Sequence, residues 1–402
     1  MRAATTGMFA YSTVLVAARG LPVLALMYAS LRLEPAAFGA VAVFVMGLTT
    51  ANLIVDGGFD AAATYLLSRA ATESSSEHSA QALRTIKIAI SSCAVVVVAL
   101  TSGNVLGFEP VPLVMVTIAT VVATAFTARN SALRILARVR GSRERVSLIA
   151  EKGASSLVFT AVVILSDSAR IVAIGFVVAT ILGCLAGASP LGKLAFGLGI
   201  PMIPGMLKSA LPFIVSALAA AGVWRAATFV LAANGNLVEA GYLSLAYYPI
   251  QLLSSVPVFA APLMLIKGSR YETDLARSIR TSVGVGMALF IVLATAALVV
   301  ARFVPTRFVD QHTLIVMLIL SLALPFLFLN PLLTAKLRVE SRLWAPSLIH
   351  AVALILSVLA ILRIVPSSGA VGAATIIVTT EIVILLGLLI ITQFLQHDRS
   401  RK

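Results

Sequence analysis

Charged residues are scarce in this sequence, and their scarcity excludes most soluble folds. Of the 402 residues only 11% are Asp, Glu, Lys or Arg, whereas 60% are hydrophobic. A soluble domain carries about 25% charged residues, because its surface must face water. Most helix faces of this chain must therefore meet lipid or another helix. The composition predicts an all-α integral membrane protein.

Cysteine is equally scarce, and no grouping of side chains suggests a metal site. The two cysteines, Cys93 and Cys184, both lie inside apolar runs. Neither has the spacing of metal ligands, and a disulfide framework is not expected from two such residues. With no metal or nucleophile constellation in the sequence, we expect no metal, no cofactor and no catalytic residue.

Long polar loops are the third absence. The two longest connections lie near 60–86 and 129–146, and neither is long enough to form a folded domain outside the membrane. A membrane polymerase or glycosyltransferase usually needs a sizeable aqueous loop that carries catalytic acids or a sugar-nucleotide site. We therefore expect that the protein is not an enzyme.

What the sequence has in abundance is long apolar runs. A bilayer core about 30 Å thick needs roughly 20 apolar residues in a helix that rises 1.5 Å per residue. The first run, Met8–Leu31, is too long for the apolar part of a signal peptide and contains Arg19, so it is predicted to be a span. About twelve spans are predicted, near 8–31, 36–56, 87–107, 110–128, 147–166, 170–188, 209–231, 241–266, 281–301, 313–333, 345–365 and 369–393.

The basic residues fall mainly on one side of these predicted spans. Twenty-three of the 30 Lys and Arg residues lie in the termini and in the turns that follow even-numbered spans, against five in the other turns. Because Lys and Arg collect on the cytoplasmic side, both termini are predicted to be cytoplasmic. The net charge of +14 is explained by this distribution, and we expect no nucleic-acid partner.

A Gly-, Pro- and Lys-containing stretch divides the chain in the middle. We predict a six-helix lobe over 1–190, a linker over 191–208 and a second six-helix lobe over 209–402. The lobes echo each other weakly, since each begins with an arginine-containing span and a short turn. Internal repeats of this kind are common in transporters, with the substrate site between the halves.

Three parts of the sequence carry short motifs: LRLEPAAFGAVAVF (Leu31–Phe44), IVDGGFDAAATYLLSR (Ile54–Arg69), and residues 207–232 with 239–264. They resemble the Wzx-like polysaccharide-biosynthesis flippases of the multidrug/oligosaccharidyl-lipid/polysaccharide exporter (MOP, MATE-like) superfamily. The first is similar to the family's L-x-P-E-x-F/Y-G turn between its first two helices, and the second to the D-x-G end of its second helix. The third is similar to the family's seventh and eighth helices, which have an early proline and a G-x-Y-x-x-A start.

The resemblance implies two lobes related by a pseudo-two-fold axis around a central cavity. It also implies a lipid-linked anionic glycan as substrate, namely an oligosaccharide or repeat unit joined by a diphosphate to a polyprenol. The protein would move this substrate between the leaflets of the cytoplasmic (inner) membrane of a bacterium, with membrane lipids and other polysaccharide-assembly proteins as further partners. One departure concerns helix seven, where many members carry a mid-helix acid and this chain has Trp224, Arg225, Ala226 and Ala227.

Two arginines interrupt predicted spans. A charge deep in the bilayer costs about 2.5–3.5 kcal/mol on insertion scales, so such residues usually face a cavity or a partner. Guanidinium groups suit phosphate oxygens, and we expect Arg19 and Arg225 to form an anion site in the cavity. The alternative is that each is paired with a carboxylate or extends to an interface. Glu381, near the middle of the last predicted span, is either a proton-coupling group or the static partner of one of these arginines.

Three other polar residues in or near the spans have two interpretations each, and two prolines form a candidate hinge. Asp56 and Asp60 flank Gly57 and Gly58 at the cytoplasmic end of the second predicted span. They either cap or pair with loop arginines or form a gate. His350 is a structural hydrogen-bonding residue or part of a gate. Pro249 and Pro257 fall in one predicted span and make it a candidate hinge, since such breaks are tolerated when neighbours satisfy the freed carbonyl groups.

Two transport functions remain at this point. The first is a flippase for lipid-linked glycans that works by alternating access. The second is a proton- or sodium-coupled exporter of small molecules, of the multidrug type. A pump for cations should place acids in its cavity, whereas this chain has two mid-span arginines against one glutamate. That balance favours an anionic substrate.

Overall fold

A computed structural model gives the architecture of the chain. It describes residues 2–56, 59, 62, 81–90, 92, 96, 105–107, 109–139, 144–188, 203–267, 275–303, 311–340 and 342–400, with side chains for most of these. Within these ranges every regular element is an α-helix. The helices are α1 Arg2–Arg32, α2 Pro35–Asp56, α3 Pro110–Val139, α4 Glu144–Leu165, α5 Ala169–Ala188, α6 Ile203–Ala233, α7 Leu237–Lys267, α8 Leu275–Phe303, α9 Gln311–Ser321, α10 Leu324–Val339 and α11 Trp344–Ser400.

Apolar helices of membrane-spanning length dominate the described part of the chain. Seven of its helical segments are long and apolar enough to cross a bilayer, which makes the chain a multi-pass membrane protein. They are Pro110–Arg134, Val146–Leu165, Ala169–Ala188, Ile203–Ala233, Ile279–Val299, Gln311–Arg338 and Trp344–Gln393. Most of the predicted span 87–107 lies outside the described residues. The count of twelve spans and the cytoplasmic termini therefore stay predictions.

One predicted span is interrupted in the structure. The predicted span 313–333 is divided between α9 and α10 by a turn at Leu322 and Ala323. The turn directly precedes the first residues of α10, where Pro325 lies. Pro325 has no N–H to donate to the carbonyl group of Ser321, and its ring crowds that carbonyl group, which explains why α9 ends at Ser321.

The chain forms two compact units, Met1–Leu211 and Pro212–Lys402. Residues 191–202 of the predicted linker lie outside the described residues. Residues 203–208, the remainder of that linker, belong to α6. The predicted six-and-six lobe division stays a prediction.

In the first unit, α4 and α5 pack closely because glycines face the contact. A Cβ on Gly183 would lie 2.6 Å from the main-chain oxygen of Glu151 and 2.6 Å from the Cβ of Ser155. A Cβ on Gly187 would lie 2.7 Å from the Cβ of Glu151. Helices in lipid associate through close packing of small residues, and this pair uses the G-x-x-x-G spacing.

We expect Gly183→Ala to lower the melting temperature of the purified protein. The added methyl group would meet backbone atoms that cannot turn away, and overpacking of this kind costs about 1–3 kcal/mol. Gly153→Ala, on α4, is the matched control because its Cβ would meet nothing within 4 Å. It should be neutral or stabilise the helix by about 0.5–1 kcal/mol. Equal melting temperatures for the two variants in detergent would contradict the α4–α5 contact.

Polar contacts also hold together the turns at one end of the first unit. Arg32, the last residue of α1, donates to the main-chain oxygen of Ile164 at 2.8 Å. It also forms an ion pair with Asp167 in the turn between α4 and α5, at 2.5 Å. The predicted topology places these turns on the outer side.

In the second unit, a glutamate holds the break in the longest helix. Within α11, Gly369 has φ 60° and ψ −146°, which ends one helical segment and begins the next. The Glu239 carboxylate accepts from the amide of Ala370 at 2.7 Å and lies 3.2 Å from His312 Nε2. A Cβ on Gly369 would lie 2.6 Å from Glu239 Oε2, so both the left-handed φ and the space require glycine. The break falls between the predicted spans 345–365 and 369–393.

Candidate functional site

Arg225 and Glu381 are both buried inside the second unit. Arg225, on α6, is 4% exposed, and Glu381, on α11, is 5% exposed. A buried charge is stable only when it is paired or hydrogen-bonded, because its loss of hydration must be compensated. The partners of these two side chains therefore decide what the site can do.

Neutral donors bind both carboxylate oxygens of Glu381. The indole Nε1 of Trp224, on α6, donates to Oε1 at 2.6 Å. The amide Nδ2 of Asn330, on α10, donates to Oε2 at 2.8 Å and lies 3.2 Å from the main-chain oxygen of Glu381. The carboxylate thus joins α6, α10 and α11 through hydrogen bonds to an indole and an amide.

An aromatic pair connects Glu381 with Arg225. Trp224 stacks on Tyr247 of α7, with ring centroids 5.0 Å apart and planes inclined by 29°. The Arg225 side chain lies within hydrogen-bonding reach of the Tyr247 hydroxyl. We call the five residues Trp224, Arg225, Tyr247, Asn330 and Glu381 the polar cluster. It brings four helices together in the interior of the second unit.

Further polar atoms on the same helices lack partners among the described residues. They are the hydroxyls of Thr228, Ser244, Tyr248 and Thr334 and the Oδ1 atom of Asn330. Thr228 follows Trp224 by one turn of α6, so it lies on the same face of that helix as a member of the cluster. Ser244 precedes Tyr248 by one turn of α7, so these two residues also share a helix face. Most buried polar groups in proteins are hydrogen-bonded. Several buried polar atoms without a described partner on neighbouring helices are therefore unusual.

Three members of the polar cluster do not follow from the sequence analysis. Trp224 and Tyr247 fall within apolar helices there, and Asn330 is not singled out. Two signals could have indicated two of these residues: the aromatic side chain next to Arg225 in the sequence, and an asparagine in an otherwise apolar span. No comparable signal marks Tyr247. Glu381 is predicted to be a proton site or the partner of an arginine, and its role stays a prediction.

Arg19, Asp56 and Asp60 cannot be placed in a site. Arg19 belongs to α1 and Asp56 is the last residue of α2, but their side chains lie outside the described residues. Asp60 lies outside them altogether. Their roles in an anion site or a gate stay predictions.

His350 and the two hinge prolines lie in the second unit. His350, on α11, is 7% exposed, and its Nδ1 lies 2.6 Å from the Pro346 main-chain oxygen and 3.4 Å from Ser216 Oγ. Pro249 is partly buried, and α7 continues as one helix past Pro249 and Pro257. A gating or bending role for these residues stays a prediction.

The first unit contains a second buried polar group, centred on Glu151 of α4. Its Oε2 accepts from Arg134 of α3 and lies 3.2 Å from Asn130 Nδ2, while its Oε1 lies 3.1 Å from Lys152 Nζ. Asn130 also donates to the main-chain oxygen of Cys184 at 2.7 Å. Two cations and an amide thus surround one carboxylate, which joins α3, α4 and α5. In the described part of the chain, no three His, Cys, Asp or Glu side chains come together as metal ligands would.

Solved structures share this fold. No protein-family model and no curated protein matches the sequence. The lipid II flippase MurJ in an inward closed conformation is similar with a TM-score of 0.71 and 13% identity, over 96% of this chain and 87% of that chain. The eukaryotic MATE transporter AtDTX14 is similar with a TM-score of 0.63 and 14% identity, over 96% of both chains. A mutant of the Vibrio cholerae MATE transporter VcmN is similar with a TM-score of 0.62 and 15% identity, over 96% of this chain and 98% of that chain. The chain therefore has the fold that these transporters have.

Proposed function

We propose that the protein is a flippase for polyprenyl-diphosphate-linked oligosaccharide or polysaccharide repeat units. It belongs on this proposal to the MOP superfamily and moves its substrate from the inner to the outer leaflet of a bacterial cytoplasmic membrane. The observation that carries the proposal is the buried Arg225 guanidinium, which lies close to Tyr247 and whose neighbour Trp224 donates to Glu381. The fold shared with a lipid II flippase supports it.

The physical basis is the chemistry of a diphosphate in a poorly hydrated space. A guanidinium presents several N–H donors in a planar fork that matches phosphate oxygens, and charge-assisted hydrogen bonds are stronger where water is scarce. Arg225, with Arg19 in the first lobe, is proposed to bind the diphosphate. Exchange of Tyr247 for the substrate phosphate would keep the guanidinium hydrogen-bonded in both states.

Glu381 is proposed to position the polar cluster. By accepting from Trp224 and Asn330 it holds the indole against Tyr247, and so fixes the surroundings of Arg225. Alternating access would then require bending elsewhere, for which Pro249 and Pro257 are proposed. Asp56, Asp60 and His350 are proposed as gate or structural residues.

A proton- or sodium-coupled exporter of small molecules is the second candidate function. The observation that favours it is the Glu381 carboxylate itself, which accepts hydrogen bonds from neutral donors. On the neighbouring helix α10, the Asn330 Oδ1 atom and the Thr334 hydroxyl lack hydrogen-bond partners among the described residues. The Glu381 carboxylate can change its charge state without breaking an ion pair. The likeness to MATE transporters is compatible with this function as well.

Depletion of the protein in its host tests the proposal. We expect lipid-linked repeat units to accumulate on the cytoplasmic face, where they stay inaccessible to a membrane-impermeant periodate label in intact cells. Complementation with the wild-type gene should restore their exposure. Unchanged glycan export combined with higher sensitivity to cationic dyes would overturn the flippase and support the exporter.

A further inference from the structure

A proline inside α1 removes one hydrogen bond from the main chain of that helix. Pro22 has no N–H, so it cannot donate to the carbonyl group of the residue four positions earlier. That residue is Ala18, which is 7% exposed. In a bilayer no bulk water replaces the missing donor, and a carbonyl group freed by proline must find a partner such as a Ser or Thr hydroxyl. The partner of the Ala18 carbonyl group therefore decides how α1 is held at its proline.

A serine hydroxyl of α4 supplies this partner. The Oγ atom of Ser156, a residue that is 2% exposed, donates to the main-chain oxygen of Ala18. The same Oγ atom lies 2.5 Å from the main-chain oxygen of Lys152, one turn earlier on α4. A hydroxyl has one hydrogen to donate, so the two carbonyl groups compete for it. The Lys152 carbonyl group also accepts from the Ser155 hydroxyl at 3.1 Å and lies within the regular hydrogen-bond ladder of α4. The Ser156 hydroxyl is therefore needed by Ala18 and dispensable to Lys152.

Two attachments to α4 hold α1 on either side of the proline. Before Pro22, the attachment is the hydrogen bond from Ser156 to Ala18. After Pro22, it is the hydrogen bond from Arg32, the last residue of α1, to the main-chain oxygen of Ile164 at 2.8 Å. Helices change direction most readily at proline. Because Arg32 holds the later part of α1, the bond from Ser156 fixes the direction of the part that precedes the proline.

We propose that Ser156 is a positioning residue for Arg19, which directly follows Ala18 on α1. By binding the carbonyl group that Pro22 frees, the Ser156 hydroxyl fixes the segment of α1 that carries Arg19 against α4. A binding site works only when the residues behind it hold its groups to within about 0.5 Å. This inference rests on the proposed role of Arg19 in binding the diphosphate, and Ser156 itself does not touch the substrate.

The attachment of α1 is tested first, by amide hydrogen exchange of the full-length protein in detergent. Ser156→Ala is expected to raise the exchange of the α1 segment around Ala18 about tenfold, because a buried carbonyl group loses its donor and the segment opens more easily. Ser155→Ala is the matched control, since the Ser155 hydroxyl donates to a carbonyl group of its own helix. The control should exchange like the wild type. Unchanged exchange in Ser156→Ala would overturn the attachment.

Removal of the proline provides a second arm of this test. Pro22→Ala restores a main-chain N–H for the Ala18 carbonyl group, so the Ser156 hydroxyl becomes dispensable. In the Pro22→Ala background, Ser156→Ala should change the exchange of α1 by less than about twofold, and an effect as large as in the wild type would contradict the pairing. If Ser156→Ala alone does not fold, the double variant should fold. A double variant that also fails to fold would refute the attachment.

The link from Ser156 to Arg19 is tested with polyprenyl diphosphate, which carries the diphosphate without a glycan. Its affinity follows from the rise of the melting temperature with its concentration. Ser156→Ala is expected to weaken binding about fivefold, as for loss of one hydrogen bond, whereas Ser155→Ala should bind like the wild type. A residue that acts through another has no effect once that other is removed, so Arg19→Gln and Arg19→Gln/Ser156→Ala should bind equally weakly. Wild-type affinity in Ser156→Ala, or a further loss in the double variant, would overturn the positioning role.

Failure of this inference differs from failure of the proposed function. A wild-type protein that does not bind polyprenyl diphosphate would overturn the diphosphate site itself, and the exchange arm would then decide alone whether Ser156 holds α1. A wild-type protein that binds polyprenyl diphosphate through Arg19, with Ser156→Ala unaffected, would overturn the inference and leave the proposed function in place.

Discussion

Arg225→Gln is expected to lower the translocation of lipid-linked glycan by about one to two orders of magnitude. Hydrogen bonds to charged groups contribute roughly 1.5–3 kcal/mol each, and Gln keeps the polarity of the side chain while removing its charge and its fork. Because Arg225 is 4% exposed, solvent ions screen its charge much less than they would at the surface. Arg225→Lys should retain part of the activity, since it keeps the charge as a single ammonium group.

The measurement is the flipping rate of a labelled lipid-linked oligosaccharide in proteoliposomes with equal amounts of protein. Arg363→Gln serves as the control, because it removes an exposed arginine from the same unit. Melting temperatures of the purified variants show whether a low rate reflects unfolding. If Arg225→Gln and Arg19→Gln both flip the substrate at the wild-type rate, the anion site is refuted.

Helices can be located from sequence because the bilayer imposes their length. Runs such as 110–128, 147–166 and 170–188 correspond to α3, α4 and α5, since about 20 apolar residues have no alternative structure in lipid. The helix ends are predicted less accurately. α3 continues to Val139, because polar residues beyond the bilayer can extend a helix without changing the hydropathy pattern.

Partners of charged residues cannot be predicted in the same way. The sequence places Arg134 among the basic residues that set topology, yet it pairs with Glu151 on another helix. In the sequence, Glu239 is notable only as the first residue of the segment 239–264. In the structure its carboxylate accepts a hydrogen bond from the amide of Ala370, which lies 131 residues further along the chain. Such pairs depend on which helices are neighbours, and hydropathy carries no information on neighbours. Two of the five residues of the polar cluster, Arg225 and Glu381, are predictable because a charge stands out in an apolar span. Its three neutral members are identified only by their contacts.

Glu381→Ala is expected to have the largest effect on stability of any single change in the polar cluster. It would leave the indole N–H of Trp224 and the amide of Asn330 buried without their acceptor, and each unsatisfied group costs about 1–3 kcal/mol. The space left by the missing side chain adds to this cost. A total of roughly 3–5 kcal/mol would be a large part of the stability of most folded proteins.

Glu381→Gln separates the two roles of this carboxyl group. Gln fills the same space and keeps one acceptor, but its amide group would meet one of the two donors, so a loss of about 1–2 kcal/mol is expected. The melting temperature in detergent should therefore fall in the order wild type, Glu381→Gln, Glu381→Ala, with the exposed Glu109→Ala equal to the wild type. If Glu381 positions the cluster, Glu381→Gln should still flip lipid-linked glycan, with the same pH dependence as the wild type. A Glu381→Gln protein that is stable but has lost transport driven by a proton gradient would refute the positioning role and favour the coupled exporter.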